Sequence, residues 1–114
     1  VQVWRSGLGI TADGALVYVD GSGLSIVDLA NVLARAGAVR AMEMDINTAW
    51  VNFTSFDPPA GQPASAASGT LLTYDEATQP SRYFQSLSRD FVTMSAALPA
   101  GAPSPPAPPA AKRR

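Results

Sequence analysis

Trp4-Arg5-Ser6-Gly7-Leu8-Gly9-Ile10-Thr11-Ala12-Asp13-Gly14-Ala15-Leu16-Val17-Tyr18-Val19-Asp20 is the stretch that decides the fold. Two extended runs, Trp4 to Ile10 and Ala15 to Asp20, flank a turn in which Asp13-Gly14 is expected to supply the positive-φ positions of a tight β-hairpin. In the second run Leu16 and Tyr18 face one way and Ala15, Val17 and Val19 the other. Both faces are apolar, which predicts a central strand.

Downstream, Gly21-Ser22-Gly23 breaks the pattern. Ser25 and Asp28 then stand three apart, where both side chains can meet the orphan amides of a helix start. The helix is predicted from Ile26, with Ile26, Leu29, Ala30 and Leu33 as its apolar stripe, Arg35 at the negative end of its dipole and Gly37 as its left-handed stop. Val39 to Ile46 alternates with period two, placing Met42, Met44 and Ile46 on one face and Ala41, Glu43 and Asp45 on the other. Asn47-Thr48 interrupts, and Trp50 to Phe56 reads as a further extended run. Asp57 to Thr70 reads as a long exposed loop, and Phe91 to Met94 as a short closing strand. The class these elements predict is α+β: a mixed β-sheet with a β-hairpin and one main packed helix, followed by a Pro-rich C-terminal tail. The Gly37-Ala38 link suits a crossover from the helix into the next strand.

The chain has 114 residues, room for one core. The segment 99–114 contains Lys112, Arg113 and Arg114 and no acid, and is read as a Pro/Ala-rich disordered or polyproline tail. Without it, five arginines face nine acids, a balance that argues against a nucleic-acid partner. The absence of cysteine excludes disulfides and thiolate chemistry, and the absence of histidine excludes the Ser-His-Asp triad and imidazole-bound zinc. Any catalysis therefore falls to carboxylates. No metal site is indicated, and no cofactor is specified. Apolar runs such as Ala15 to Val19 are strand-sized, too short to span a membrane. The opening on Val1 rather than Met is read as that of a fragment or processed product.

Glu43 and Asp45 are the best carboxylate pair. On an ideal strand they share a face with Cα atoms about 6.5–7 Å apart, at a strand end, where reacting groups are commonly placed. Environments that separate their pKa values allow such a pair to divide acid and base roles; otherwise they form a solvated strand face. Arg5 is a candidate grip for a phosphate or carboxylate, and Trp50 a candidate platform for a sugar ring, against the ordinary roles of surface arginine and core aromatic. Gly7-Leu8-Gly9 has too few glycines for a dinucleotide fingerprint, and Asn52-Phe53-Thr54 fits a glycosylation sequon of a kind that recurs by chance.

One series has an order more specific than its parts: Arg5-Ser6-Gly7-Leu8-Gly9-Ile10, Asp13-Gly14, Gly23-Leu24-Ser25 with Asp28-Leu29-Ala30, Ala36-Gly37-Ala38, and Ala41-Met42-Glu43-Met44-Asp45. It resembles the C-terminal part of the phosphodiester glycosidase domain family, over about Trp4 to Asp57. Arg82-Tyr83-Phe84 and Arg89-Asp90-Phe91-Val92-Thr93-Met94 look like the end of its actinobacterial members. The resemblance implies that residues 1–98 are the C-terminal part of such a domain. It further implies a secreted or envelope-associated hydrolase that cleaves a sugar from a phosphodiester-linked glycoconjugate in envelope or exopolysaccharide material. Arg5 and Asp45 map onto the active-site region of the family, whereas Glu43 stands where relatives commonly carry a neutral residue. The expected site is thus Asp45 with Glu43 for catalysis, and Arg5, Asn47 and Trp50 for substrate. Where the family continues with a glycine run and a Ser, this chain has Ile46-Asn47-Thr48. That departure suits one alternative, a non-catalytic envelope module that binds glycan or a partner; the family domain is longer than this chain, which suits the other, an inactive truncated fragment. Oligomeric state is not legible.

Overall fold

The computed structural model describes residues 1–86, 89–96 and 100–101. Nearly all of the expected tail, 99–114, lies outside the described residues. The hairpin consists of β1 (Val3–Thr11) and β2 (Leu16–Leu24). The Gly14 amide donates to the Thr11 carbonyl at 3.0 Å and the Ala15 amide to Thr11 Oγ1 at 2.9 Å. Of the two residues expected at positive φ only Gly14 adopts it, at 90°, so a longer turn with one left-handed residue replaces the two-residue form.

Helix α1 (Ile26–Arg35) starts as its sequence dictates. The Asp28 amide donates to Ser25 Oγ at 3.1 Å, and the Ser25 amide donates back to the Asp28 carboxylate at 2.8 Å. Hydrogen bonding from Ser25, its side chain first and then its amide, holds the Asp28 pKa below the usual carboxylate value. Gly37, at φ 93°, ends the helix as expected. The buried stripe is narrower than predicted. Leu29 and Leu33 are 2% and 3% exposed, while Ile26 and Ala30 are exposed.

β3 (Ala38–Ile46) pairs with β1, giving the order β2-β1-β3 with both ladders antiparallel. The α+β class holds, with an antiparallel rather than a mixed sheet. β2 and β3 run parallel on either side of β1, so α1 is the crossover that the short Gly37-Ala38 link suited. The central strand is β1, not β2. A Cβ on Gly7 would stand 2.8 Å from Leu33 Cδ1 and 3.3 Å from Leu29 Cδ1, so the helix rests where β1 lacks side chains. Apolarity on both faces of β2 reflects the helix on one side and Phe53 on the other, its ring centroid 4.9 Å from that of Tyr18.

The β1–β3 register slips between Arg5 and Gly7, whose partners are Ile46 and Glu43. Two steps on β1 thus meet three on β3, a bulge that breaks the alternation. Glu43 and Asp45 consequently do not share a face. Of the three residues expected opposite them, Met42 pairs with the cavity-lining Leu8 and Met44 lines the same cavity, whereas Ile46 pairs with Arg5 beyond the bulge.

Against the sheet face away from α1 lies a layer of short pieces. β4 (Thr54–Phe56) pairs with β5 (Gly69–Leu71), and single turns of 3-10 helix occupy Ala66–Ser68 and Pro80–Phe84. The run from Trp50 is a strand only from Thr54, because the Trp50 and Val51 amides fold back onto the Asn47 carbonyl at 3.2 and 3.1 Å. The expected loop likewise ends earlier, closing as a β4–β5 hairpin. Phe91 to Met94 forms no strand; Phe91 packs edge-on to Tyr83, with 5.2 Å between ring centroids. Glu76, 4% exposed, ties the layer together, accepting from the Phe53 amide at 3.1 Å, Asn52 Nδ2 at 2.6 Å and the Thr73 amide at 3.1 Å. No helix among the described residues is long and apolar enough to cross a membrane.

Candidate functional site

Alternation along β1 points Gly7 at the helix and Ser6 and Leu8 into the opposite layer. Between that face and the Trp50–Met94 segment lies a cavity of about 340 Å³, lined by Ser6, Leu8, Tyr18, Asp45, Trp50 and Asn52, with Arg82, Tyr83, Arg89 and Asp90 closing it. A larger, open groove of about 700 Å³ runs along Gly69–Asp75 and Gln79–Pro80, but it holds one charged side chain, Asp75, and none of the expected residues.

The β3 bulge delivers Asp45 to this cavity. Ser6, 1% exposed, accepts the Asp45 amide at 3.0 Å and fixes the backbone at the bulge. The Asp45 carboxylate then meets Arg89 Nη2 at 3.4 Å. Asn47 does not line the cavity. At φ 74° it is the one non-glycine residue at positive φ among those described, and its amide donates to the Trp4 carbonyl at 2.8 Å while its Oδ1 accepts from Ala49 at 3.0 Å. Asn is among the few residues that tolerate this conformation, and the turn it makes brings Trp50 to the cavity wall.

Trp50 carries two guanidinium groups. Arg89 Cζ lies 4.2 Å from the ring centroid and Arg82 Cζ 5.5 Å. Arg82 is anchored, donating from Nη1 to the Ala49 carbonyl at 2.9 Å and to Thr78 Oγ1 at 3.1 Å. Tyr83 donates its hydroxyl to Asn52 Oδ1 at 2.6 Å, and Asn52 Nδ2 donates on to Glu76 and to the Thr78 carbonyl. Burial pushes the Tyr83 hydroxyl pKa up, and the same cause raises that of Tyr18. With both amide atoms of Asn52 engaged inside the fold, the sequon it begins is a structural element.

The other expected residues sit elsewhere. Arg5 forms an ion pair with Glu43, and its Nε donates to the Leu24 carbonyl at 3.0 Å. Their side chains are 12% and 24% exposed, and neither lines the cavity. The structure therefore joins Asp45 with Trp50, and Arg5 with Glu43, as two separate pairs. Asn52 was marked only as the start of a sequon, and Arg82, Tyr83 and Arg89 were not singled out by composition or spacing. The signal that could have marked them was the resemblance of Arg82-Tyr83-Phe84 and Arg89-Asp90-Phe91 to the end of one branch of a family.

The fold and cavity define an α+β scaffold whose crossover helix covers one sheet face while a polar, aromatic-walled site occupies the other. Residues 2–45, less than half of the chain, match the family model described as phosphodiester glycosidase. The matched segment spans most of β1–β3 and all of α1, and it ends on Asp45 at the cavity. No curated protein and no solved structure matches the chain.

Proposed function

We propose that the chain forms part of a hydrolase that splits a sugar from a phosphodiester-linked glycoconjugate, with Asp45 as the reacting-site carboxylate and Trp50 as the sugar platform. The observation that carries this reading is the position of Asp45: it ends the segment similar to phosphodiester glycosidases and lines a cavity that also holds an indole and two guanidinium groups. Cleavage between the sugar and the bridging oxygen releases a phosphate monoester. The second ionisation of such a phosphate lies at about 6, so it departs without a strong acid to protonate it. The remaining demands are a base for the attacking water and positive charge near the departing phosphate. Asp45 meets the first. Water gives its hydroxyl to the anomeric carbon and its proton to the carboxylate, which passes it to solvent. Arg5 and Glu43, bonded to each other away from the cavity, tie β1 to β3 and stay outside the chemistry. Envelope or exopolysaccharide material is the substrate pool such an enzyme fits, and a secreted or envelope-attached location belongs to the proposal.

A second reading, a glycan-binding module without turnover, is favoured by the turn after Asp45. Its Asn47 amide, carbonyl and side chain are bonded to the chain itself, where a glycine run would offer amides to a phosphate. Asp45→Asn separates the two. In the hydrolase, sugar release from a sugar phosphodiester falls by about 100-fold or more while the melting temperature stays put; undiminished release removes Asp45 from the mechanism. Saturable glycan binding by the unaltered protein with no release establishes the second reading instead.

A further inference from the structure

We propose that Arg89, laid on the face of Trp50, is the group in this cavity that binds a phosphoryl anion, and that Asp45 occupies it when no anion is present. At 4.2 Å over the ring the guanidinium is held at the cavity wall with its side chain half exposed, and its planar fork can meet two oxygens of a phosphate. Among the described residues its polar partner is Asp45, through a single long contact of 3.4 Å, and its side chain is 48% exposed. The other cations near β1–β3 are differently placed. Arg5 is engaged by Glu43 and by two backbone carbonyls. Arg82 has Nη1 committed to Ala49 and Thr78, so it adds positive charge to the wall without the same freedom to reorient. An incoming phosphate competes with the Asp45 carboxylate for Arg89, and its binding frees that carboxylate in the same cavity.

Identifying the anion as the substrate's phosphate rests on the hydrolase reading; the anion site itself does not. The test is a titration of the full chain with inorganic phosphate at constant ionic strength, followed by calorimetry or ³¹P line broadening. Arg89→Gln is expected to weaken binding at least tenfold, Arg89→Lys to restore part of it, and Arg40→Gln, on the exposed edge of β3, to leave it unchanged. Asp45→Asn is expected to tighten binding several-fold by removing the competing carboxylate, a gain that a merely structural Arg89–Asp45 contact does not produce. The proposal is overturned if the unaltered chain binds no phosphate at millimolar concentration, if Arg89→Gln binds as well as wild type, or if Asp45→Asn binds more weakly. Arg89-dependent phosphate binding in a chain that turns over no sugar phosphodiester leaves this site standing and removes the hydrolase reading. Turnover with phosphate binding indifferent to Arg89 does the reverse.

Discussion

Asp20 has both carboxylate oxygens buried without a hydrogen-bond donor among the described residues. Burial pushes its pKa up to about 6, with the negative charges of Glu76 and Asp75 adding to the shift and Tyr18 opposing it. The sign follows from which state holds the proton. Well below the ordinary carboxylate value of 3.8 the native and unfolded chains both hold it, and Asp20 costs little. As pH rises toward 6 the unfolded chain releases the proton first, so stability is lost through this window and the penalty persists above it. Asp20→Asn is therefore expected to be more stable than wild type at about pH 8, with the difference vanishing at about pH 3, below the unfolded carboxyl's own titration. The gain is about 1 kcal/mol, below the ~3 kcal/mol of a two-unit shift because solvent reaches part of the site. Urea unfolding at the two pH values measures it; a variant equal to wild type at the higher pH removes the buried-charge account. Arg5 and Glu43 present the opposite arrangement, charges partly buried and paired across β1 and β3.

β1 shows how packing overrides a local pattern at the scale of an element. Gly7 is what admits Leu29 and Leu33, so the helix settles over β1 at the point where that strand carries no side chain. Gly7→Ala is expected to destabilise the fold by about 1–3 kcal/mol, because the added methyl would lie 2.8 Å from Leu33 Cδ1 and 3.1 Å from the Met42 carbonyl. A combined Gly7→Ala, Leu33→Ala variant opens space for that methyl, so its loss should be smaller than the sum of the single losses. Additive losses in denaturant unfolding would mean that the helix does not rest on Gly7. Local signals made the hairpin, the Ser25–Asp28 cap and the Gly37 stop legible, because each depends on residues within four positions. The bulge was hidden because it is a relation between β1 and β3: nothing in Met42–Ile46 marks the slipped register, and a slip of one residue sends Asp45 to the other face from Glu43. Asp45, a candidate from the sequence, thus lines a cavity whose other walls, Trp50 apart, the sequence pattern did not mark. Trp50 reaches the cavity wall through the left-handed turn at Asn47, whose amide and side chain are bonded to the chain itself.

Across the whole molecule, the two faces of one three-stranded sheet carry layers of different origin. The helix layer is continuous in sequence with the sheet and is closed by apolar contact. The cavity layer collects residues from Trp50 to Met94 with little regular secondary structure, and its buried centre includes a carboxylate. Glu76 satisfies amides from two separated segments, 52–53 and 73, so its removal strands several donors at once. Loss of that clamp acts on one layer only, since Leu29 and Leu33 pack against the far face of β1. Glu76→Ala is therefore expected to unfold in two stages. Amide hydrogen exchange at Phe53 and Thr73 accelerates about 100-fold or more, the equivalent of losing ~3 kcal/mol of local protection, while α1 and the β1–β2 ladder keep most of theirs. Uniform acceleration across both layers would instead show a single cooperative unit in which the cavity wall cannot loosen without the sheet. The distinction bears on function, because Arg82, Tyr83 and Trp50 belong to the layer that Glu76 organises, whereas Asp45 is held by Ser6 on β1. In the two-stage case the same variant loses the guanidinium–indole wall and retains its carboxylate, so phosphate binding falls before the sheet melts.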